Sequence, residues 1–289
     1  MNTREAKPYT SHITLSQYDP KFWRFSFDEM GRYDVAACID HVLNATGAPK
    51  LTIVAFSQGF LANLILHSVR PEYSEKVNLL VAYAPVANIT HIEPPLGWLV
   101  PIIPILVPTL YPLTQAGFLG TSTGLRELLS AACNIIINPI CSNSFTLTAF
   151  ASPEQFNKTR APVYVGHFPT GSTMQNFLHF YQIYEAKNLV MFDYGISENR
   201  QRYGQDTPPP YPLERIRLPI ALFPAPGDTV ATPADISDLV DRLGENVVFE
   251  HVVPVPTFRH LDFATGYRAN DILHNVAIEL MRKYAVEGR

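Results

Sequence analysis

The chain reads Leu51-Thr52-Ile53-Val54-Ala55-Phe56-Ser57-Gln58-Gly59 near its start, where an apolar run meets a serine. The β-branched run predicts a strand, and a helical pattern begins at once in residues 60–67. A sharp strand-turn-helix connection lifts a serine hydroxyl above the sheet edge and points the following N–H group towards a developing oxyanion. We therefore predict a nucleophile elbow, with Ser57 as the nucleophile and Gln58 as an oxyanion donor.

The match to the usual elbow pattern, Gly-x-Ser-x-Gly, is imperfect because Ala55 stands at the first position. Alanine is the next smallest residue, so the strand and the helix can still pack closely. An alternative is that Ser57 only caps the helix. A second stretch, residues 120–124, fits the five-letter pattern better, but no β-branched run precedes it. We expect a loop there, leading into a helix that begins near Leu125.

The composition bounds the class of protein. A chain of 289 residues allows one large domain or two small ones, and 47% apolar residues predict a sizeable core. The net charge of −4 gives no electrostatic case for a nucleic-acid partner. The three cysteines, Cys38, Cys133 and Cys141, are too few for a disulfide scaffold and lack metal-site spacing. One disulfide pair with one free thiol remains open.

The signals for cellular location conflict. Residues 1–11 are polar and contain no apolar segment of the kind that a signal peptide needs. Glycosylation sequons nevertheless begin at Asn44, Asn88 and Asn157. We expect either a cytosolic protein or a secretory protein that has lost its N-terminus.

Strand and helix patterns alternate on both sides of a long middle region. Ser26 or Asp28 is expected to cap a helix at 29–44, which Gly47 ends, and a second buried strand is expected at 77–84. Two strands joined by a helix imply a parallel pair. Residues 192–212 are expected to be mostly loop. Further strands are expected at 163–165, 218–223 and 247–253, and further helices at 174–187, 233–243 and 270–284.

The most apolar part of the middle region is residues 96–113, which contain four prolines. Its length suggests a membrane span, but four prolines argue against one regular helix. Two interpretations remain. The segment is either a loop-rich insertion folded on itself, or a cap whose apolar face receives a lipid tail or meets a lipid surface.

An acid and a base follow the later strands in the order that an α/β-hydrolase requires, which is nucleophile, acid, histidine. Asp228 follows the strand at 218–223, and His260 follows the strand at 247–253. Because the carboxyl ends of parallel strands share one sheet edge, we predict that Ser57, Asp228 and His260 form a catalytic triad.

Other interpretations of these residues exist. Asp228 could serve only the turn after Gly227, and His260 could be a surface residue. Asp262 could fix the loop of His260. Some polar residues are poorly placed for catalysis because they lie within helices or a strand, and the aspartates among them are expected to be solvated: His67, His179, His251, His274, Asp235, Asp238 and Asp241.

Several motifs, taken in order, resemble those of the acid lipases, the family of gastric lipase and lysosomal acid lipase. They are Phe22-Trp23, Phe25-Ser26-Phe27-Asp28-Glu29-Met30, Tyr33-Asp34, Ser57-Gln58-Gly59, Ala84-Pro85-Val86-Ala87, Gly171-Ser172-Thr173, Gln175-Asn176 and His260-Leu261-Asp262-Phe263.

The resemblance implies an α/β-hydrolase fold with a mostly parallel sheet. Its core would comprise residues 1–85 and 201–289, and a helical cap would comprise residues 86–200. It implies hydrolysis of triacylglycerols or cholesteryl esters at acidic pH through a Ser-His-Asp acyl-enzyme mechanism, without a metal or another cofactor. The implied partner is a neutral lipid or a lipid–water interface, and the implied location is lysosomal or secreted.

The resemblance also assigns residues. It places the triad on Ser57, Asp228 and His260 and one oxyanion donor on Gln58. Cys133 and Cys141 look like the disulfide pair of the family's cap.

Two departures from the family pattern stand out. Family members have Gly-His-Ser-Gln-Gly at the elbow, where this chain has Ala55 and Phe56. They also carry a signal peptide, the first strands of the sheet and a loop with a second oxyanion donor before the region matched here. We therefore expect an N-terminally shortened acid lipase. The alternatives are a catalytically impaired lipase-like protein that binds lipid or a partner, and an esterase for small soluble esters.

Overall fold

The computed structural model describes residues 1–6, 11–114, 117–118, 123–135, 138–148, 150–168 and 170–287. The strands are β1 (Leu51–Phe56), β2 (Val77–Tyr83), β3 (Gly117–Phe118), β4 (Ser172–Thr173), β5 (Ile220–Phe223) and β6 (Val247–Glu250). The α-helices are α1 (Phe27–Glu29), α2 (Ala36–Thr46), α3 (Gln58–Val69), α4 (Ile103–Thr114), α5 (Thr123–Ile135), α6 (Asn138–Leu147), α7 (Ala161–His167), α8 (Met174–Ala186), α9 (Ile196–Tyr203), α10 (Pro233–Leu243), α11 (Asp262–Thr265) and α12 (Asn275–Glu287). Helical turns of the π type lie at Met30–Val35 and Asn270–His274, and 3₁₀ turns lie at Pro20–Trp23, Pro71–Lys76, Leu96–Trp98, Val100–Ile102, Lys158–Arg160, Leu213–Arg215 and Gly244–Asn246.

Four strands form one parallel sheet in the order β1-β2-β5-β6. Its middle strands are apolar and buried, as expected where helices cover both faces of a parallel sheet. All four strands run the same way, so their carboxyl ends meet at one edge. The predicted α/β fold class is confirmed, and the sheet brings the loops after β1, β5 and β6 to that edge.

The predicted helix before β1 is present and begins as expected. Ser26 caps it through a capping box with Glu29, and Gly47 ends α2 with φ at 66°. Gly31 lies in the π-type turn between α1 and α2 and packs against α3. An added Cβ there would come within 2.6 Å of the Ala62 carbonyl oxygen. A glycine is therefore needed for this close approach, which sets the position of α3.

A long insertion, residues 84–219, separates the neighbouring strands β2 and β5. Part of it packs on the main core, to which Ile183 and Leu189 belong. Another part has a small apolar cluster of its own, formed by Cys133, Cys141, Phe145, Ala151, Phe156 and Ala161.

One expectation for the insertion is wrong, and another holds with an addition. Residues 163–165 form no strand but lie in α7, because Pro162 favours the first turn of a helix and a three-residue apolar run sets no period. Residues 192–212 are mostly loop, as expected, but they also contain the short helix α9, which ends at Gly204 with φ at 73°.

The proline-rich segment is more helical than its composition predicts. After two 3₁₀ turns it enters α4, which begins at Ile103 and contains prolines. Pro104 lies in the first turn, where its missing N–H group has no helical partner to lose. The described part of the chain contains no helix with the length and apolar character that crossing a bilayer requires. Residues 120–122 of the better-fitting five-letter stretch lie outside the described residues.

Candidate active site

Ser57 occupies the sharp turn between β1 and α3. Its backbone has φ 53° and ψ −121°, a region that costs about 1–3 kcal/mol for a residue with a side chain. The turn is tied to the sheet by the Ser57 N–H, which donates to the Tyr83 carbonyl at 3.0 Å. The Ser57 side chain makes no capping hydrogen bond to α3. The alternative of a simple helix cap is therefore wrong, and the hydroxyl is free to serve another partner.

That partner is His260. The Ser57 hydroxyl lies 2.7 Å from His260 Nε2, and His260 Nδ1 lies 2.9 and 3.1 Å from the two carboxylate oxygens of Asp228. His260 is 5% exposed and Asp228 is 2% exposed, so water scarcely reaches this contact. Ser57, Asp228 and His260 thus meet from three separate loops, as the sequence predicts.

Asp228 determines which ring nitrogen of His260 carries the proton. Its Oδ1 also accepts hydrogen bonds from the main-chain N–H groups of Val230 and Ala231, at 2.8 and 3.0 Å. Because an ionised carboxylate only accepts, Nδ1 of His260 must donate to it. Nε2 is then left unprotonated and can accept the Ser57 proton.

Gly227 allows the loop that carries Asp228 (the acid loop) to touch the loop that carries His260 (the base loop). A Cβ at this position would lie 2.7 Å from the Pro256 carbonyl oxygen and 2.9 Å from that of Phe258. Any larger residue would push the two loops apart. The distance between Asp228 and His260 therefore depends on a residue with no side chain.

Gln58 lies on the other side of the nucleophile as the first residue of α3. The first N–H groups of a helix have no partner within it, and they carry partial positive charge. The Gln58 side chain is held at both ends: Nε2 donates to Glu5 Oε1 at 2.7 Å, and Oε1 accepts from Asn176 Nδ2 at 2.8 Å. Burial raises the pKa of Glu5. The sequence did not predict that Glu5 or Asn176 would contact Gln58. The Gln175-Asn176 motif was the only sequence signal for Asn176, and Glu5 had none.

Asp262 fixes the loop that carries His260. Its buried carboxylate accepts from the Arg259 N–H at 2.8 Å and from the Ser152 N–H at 3.1 Å. Burial raises the pKa of Asp262 to about 6. The interpretation of Asp262 as a loop residue is confirmed, and its link to Ser152 was not expected.

One of the three aspartates that were expected to be solvated, Asp235, is buried instead. Asp238 and Asp241 are exposed as expected, but Asp235 is 4% exposed. Its carboxylate lies 2.8 Å from His91 Nδ1 and accepts from the Thr232 hydroxyl at 3.2 Å. The error arose because His91 comes from 144 positions away in the chain, which no helical pattern reveals.

Among the described residues, potential metal-ligand atoms of His91, Asp235 and Asp238 also lie within 4.8 Å of one another. The hydrogen bonds to Asp235 are sufficient to explain why two of the three are close together.

Two other histidines are buried away from this site. His67 and His179 are buried in helices, and burial lowers the pKa of each to about 4. His179 Nδ1 accepts from the Ser26 hydroxyl at 2.9 Å, and its Nε2 donates to the Val190 carbonyl at 3.0 Å. These contacts leave His179 no nitrogen for catalysis.

The cysteines are all free thiols in the structure. Cys133 and Cys141 are buried side by side, and burial together with the Cys141 contact raises the pKa of Cys133 to about 12. The two side chains of the predicted disulfide are therefore neighbours, but they are not joined.

The three sequons differ in exposure. Asn44 is exposed, and Asn157 is half-buried with its side-chain oxygen accepting from the Thr159 N–H. Asn88 is only 5% exposed. A glycan at Asn88 would have no space in this fold, whereas Asn44 leaves room for one.

Comparison with known proteins identifies relatives over most of the chain. It is 34% identical over 275 residues to the lysosomal acid lipase/cholesteryl ester hydrolase of Rattus norvegicus, covering 94% of this chain and 68% of that protein. It is 33% identical over 278 residues to the gastric triacylglycerol lipase of Bos taurus, covering 93% and 67%. No protein-family model matches the chain.

Solved structures share the fold at low identity. A crystal structure of a protein from Sulfolobus solfataricus is 13% identical with a TM-score of 0.56, covering 95% of this chain and 70% of that one. A carboxyl esterase from Bacillus coagulans is also 13% identical, with a TM-score of 0.50 and coverage of 91% and 73%. At this identity the likeness shows the fold alone.

Proposed function

Because this chain belongs to the acid lipase family, we propose that it hydrolyses the carboxylic esters of neutral lipids, either triacylglycerols or cholesteryl esters. One observation carries the proposal. The Ser57 hydroxyl lies 2.7 Å from His260 Nε2, while Asp228 holds the opposite nitrogen of the same ring. This geometry supports a serine activated by a histidine base, and no metal or other cofactor is needed for the steps it would perform.

The reaction would proceed in two halves. His260 Nε2 removes the Ser57 proton as the serine oxygen attacks the ester carbonyl carbon, and the Gln58 N–H stabilises the oxyanion that forms. The ester C–O bond then breaks, and His260 gives its proton to the leaving alcohol. In the second half, water attacks the acyl-enzyme and gives its proton to His260, and the fatty acid leaves as Ser57 regains a proton.

A surface patch favours a lipid substrate over a small soluble ester. No Asp, Glu, Lys or Arg occurs between Glu93 and Arg126. Within this segment Trp98 is 73% exposed and Ile105 is 72% exposed, and other large apolar side chains lie exposed beside them in sequence: Leu99, Ile102 and Leu106. These five exposed side chains form what we call the apolar patch, and such a patch is typical of a surface that meets lipid.

We extend the proposal to organisation and location. Residues 86–200 would act as the cap, with residues 1–85 and 201–289 as the hydrolase core. The family favours a lysosomal or secreted glycoprotein, and Asn44 is the sequon with most access to solvent. Loss of an endoglycosidase-sensitive mass shift in Asn44→Gln, made in a secretory host, would support that location.

The proposal is tested by labelling with a fluorophosphonate probe, which forms a covalent bond only with an activated serine. We expect the wild-type protein to be labelled and Ser57→Ala to remain unlabelled. Hydrolysis of an emulsified long-chain triacylglycerol should exceed that of a soluble short-chain ester. If folded wild type remains unlabelled but binds lipid, the alternative of an impaired lipase-like lipid-binding protein replaces this one. A preference for the soluble ester would contradict the lipid substrate alone.

A further inference from the structure

Asn176, in the first turn of α8, contacts the residue next to the nucleophile although it takes no part in the reaction above. Its side chain is 3% exposed. Nδ2 donates to Gln58 Oε1 at 2.8 Å and to Ser172 Oγ at 3.0 Å, while Oδ1 accepts from the Phe27 N–H at 2.8 Å. Both hydrogens on the nitrogen and one lone pair on the oxygen are therefore used.

A closed ring of side-chain hydrogen bonds results, which we call the Gln58 clamp; it consists of Glu5, Gln58, Ser172 and Asn176. Gln58 Nε2 donates to one oxygen of Glu5 at 2.7 Å, and the Ser172 hydroxyl donates to the other at 2.8 Å. Because Asn176 bonds both Gln58 and Ser172, the ring closes. The Gln58 amide cannot rotate without breaking two contacts in a partly buried site.

The clamp is anchored to the scaffold through Thr173, the N-cap of α8. The Thr173 hydroxyl donates to the Phe25 carbonyl at 2.5 Å and accepts from the Asn176 N–H at 3.0 Å. Thr173 and Asn176 therefore bind the segment around Phe25 and Phe27 to the start of α8. Asn176 thus reaches Gln58 from a rigid support, which a loop residue could not provide.

The elbow needs such support because its backbone is strained at Ser57. A strained conformation persists only where surrounding contacts hold it. The N–H group that faces an oxyanion must also be placed accurately, since an error of about 1 Å can cost roughly 10²-fold in rate. The Gln58 side chain projects from the same residue whose main-chain N–H performs that task.

We propose that Asn176 is a positioning residue, which holds the side chain of Gln58 and through it the main-chain N–H that stabilises the oxyanion. The inference rests on the function proposed above. Asn176 does not touch the substrate, and its effect on catalysis passes through Gln58. The inference gives the Gly171-Ser172-Thr173 and Gln175-Asn176 motifs a structural role, which is to support the residue that stabilises the oxyanion.

The first test compares Asn176→Ala with Asn199→Ala. Asn199 is a matched control because it is equally buried, accepts from one main-chain N–H and donates twice, but to Asp193 and Asp206. With a soluble chromogenic ester, we expect Asn176→Ala to lose about tenfold or more in kcat with little change in KM, a fraction of what losing an oxyanion donor costs. Asn199→Ala should keep its kcat per labelled serine, although both variants lose thermal stability.

The second test is a double-mutant cycle with Gln58→Leu, which removes the side chain but keeps the main-chain N–H. If Asn176 acts through the Gln58 side chain, the double variant should lose no more kcat than the more impaired single variant. Losses that multiply would overturn the inference, as would a wild-type kcat in Asn176→Ala. If Asn176→Ala does not fold, a wild-type kcat in Gln58→Leu overturns it instead. Wild type that cannot be labelled by the fluorophosphonate overturns the proposed function, whereas a labelled wild type with an unaffected Asn176→Ala overturns only the positioning role.

Discussion

The carboxylate of Asp262 accepts a hydrogen bond from the main-chain N–H of Ser152 at 3.1 Å, and this bond ties the loop of His260 to the insertion. A second bond runs beside it, from the Leu261 N–H to the Phe150 carbonyl at 2.7 Å. The position of His260 therefore depends on an element that is remote in sequence. Disturbing this junction should therefore lower the stability of the fold and shift the position of His260.

Asp262→Asn should change how stability depends on pH. The pKa of Asp262 is about 6 in the folded protein and about 3.8 ordinarily, so the folded chain binds this proton more tightly. Wild type should therefore gain stability from this group as the pH falls from about 6 towards 4, by at most roughly 3 kcal/mol. Asparagine cannot titrate, so urea denaturation at pH 7, 5 and 4 should show the difference between wild type and variant rising at low pH.

Buried histidines oppose this trend in both proteins, which is why the difference is the quantity to measure. The pKa values of His67 and His179 are lowered to about 4, below the ordinary 6.5. The unfolded chain therefore binds their protons more tightly, and their contribution to stability is lost as the pH falls from 6.5 towards 4. A constant difference between wild type and Asp262→Asn across this range would contradict the prediction.

Asp228→Asn should abolish most activity without unfolding the loop. Both main-chain donors, Val230 and Ala231, bond to Oδ1, so an asparagine can keep these bonds and turn its NH₂ group towards His260. Nδ1 must then accept, and the proton moves to Nε2, which can no longer take the proton of Ser57. We expect kcat to fall by about 10⁴-fold, as in other serine triads, with an unchanged melting temperature. A loss below tenfold would remove Asp228 from the triad.

Gly227→Ala should separate the acid loop from the base loop. The new methyl group would lie 2.7 Å from the Pro256 carbonyl oxygen, and backbone atoms cannot rotate away as a side chain does. We expect a loss of about 1–3 kcal/mol in unfolding free energy and a clear fall in kcat. Gly166→Ala is the control, because its new methyl group would meet only Ser130, at 3.4 Å. Equal effects of the two substitutions would refute the loop contact.

Replacing Trp98 and Ile105 by serine should impair action on lipid but not on soluble esters. These exposed side chains make no contribution to the triad, so the chemical step should be unchanged. Activity on an emulsion and adsorption to neutral-lipid droplets should both fall several-fold as apolar area is lost. Ile196→Ser is the matched control, since Ile196 is 60% exposed on α9, outside the apolar patch. An equal fall on both substrates would indicate misfolding rather than lost lipid contact.

The sheet and the three residues at its edge were predictable because both follow from local patterns. Ser57 directly follows β1, Asp228 and His260 lie in the loops after β5 and β6, and parallel strands end at one edge. The helix capped by Ser26 and ended by Gly47 was predictable for the same reason, since its start and stop signals lie next to it in sequence.

The errors concern contacts between distant segments. Asp235 sits on a helix face that its own sequence presents as polar, and only His91 explains its burial. The bond between Asn176 and Gln58 joins positions 118 apart, and no periodicity connects them. The segment at 163–165 failed for a different reason, because a run of three residues fits a strand and a helix equally well.

The insertion between β2 and β5 has a consequence for how the protein is made. Ser57 and His260 are 203 positions apart, so the turn that carries Ser57 leaves the ribosome long before His260 does. During synthesis the Ser57 hydroxyl therefore lacks this hydrogen-bond partner until the whole insertion and both later strands have emerged. A chain that is released early contains the serine without the histidine.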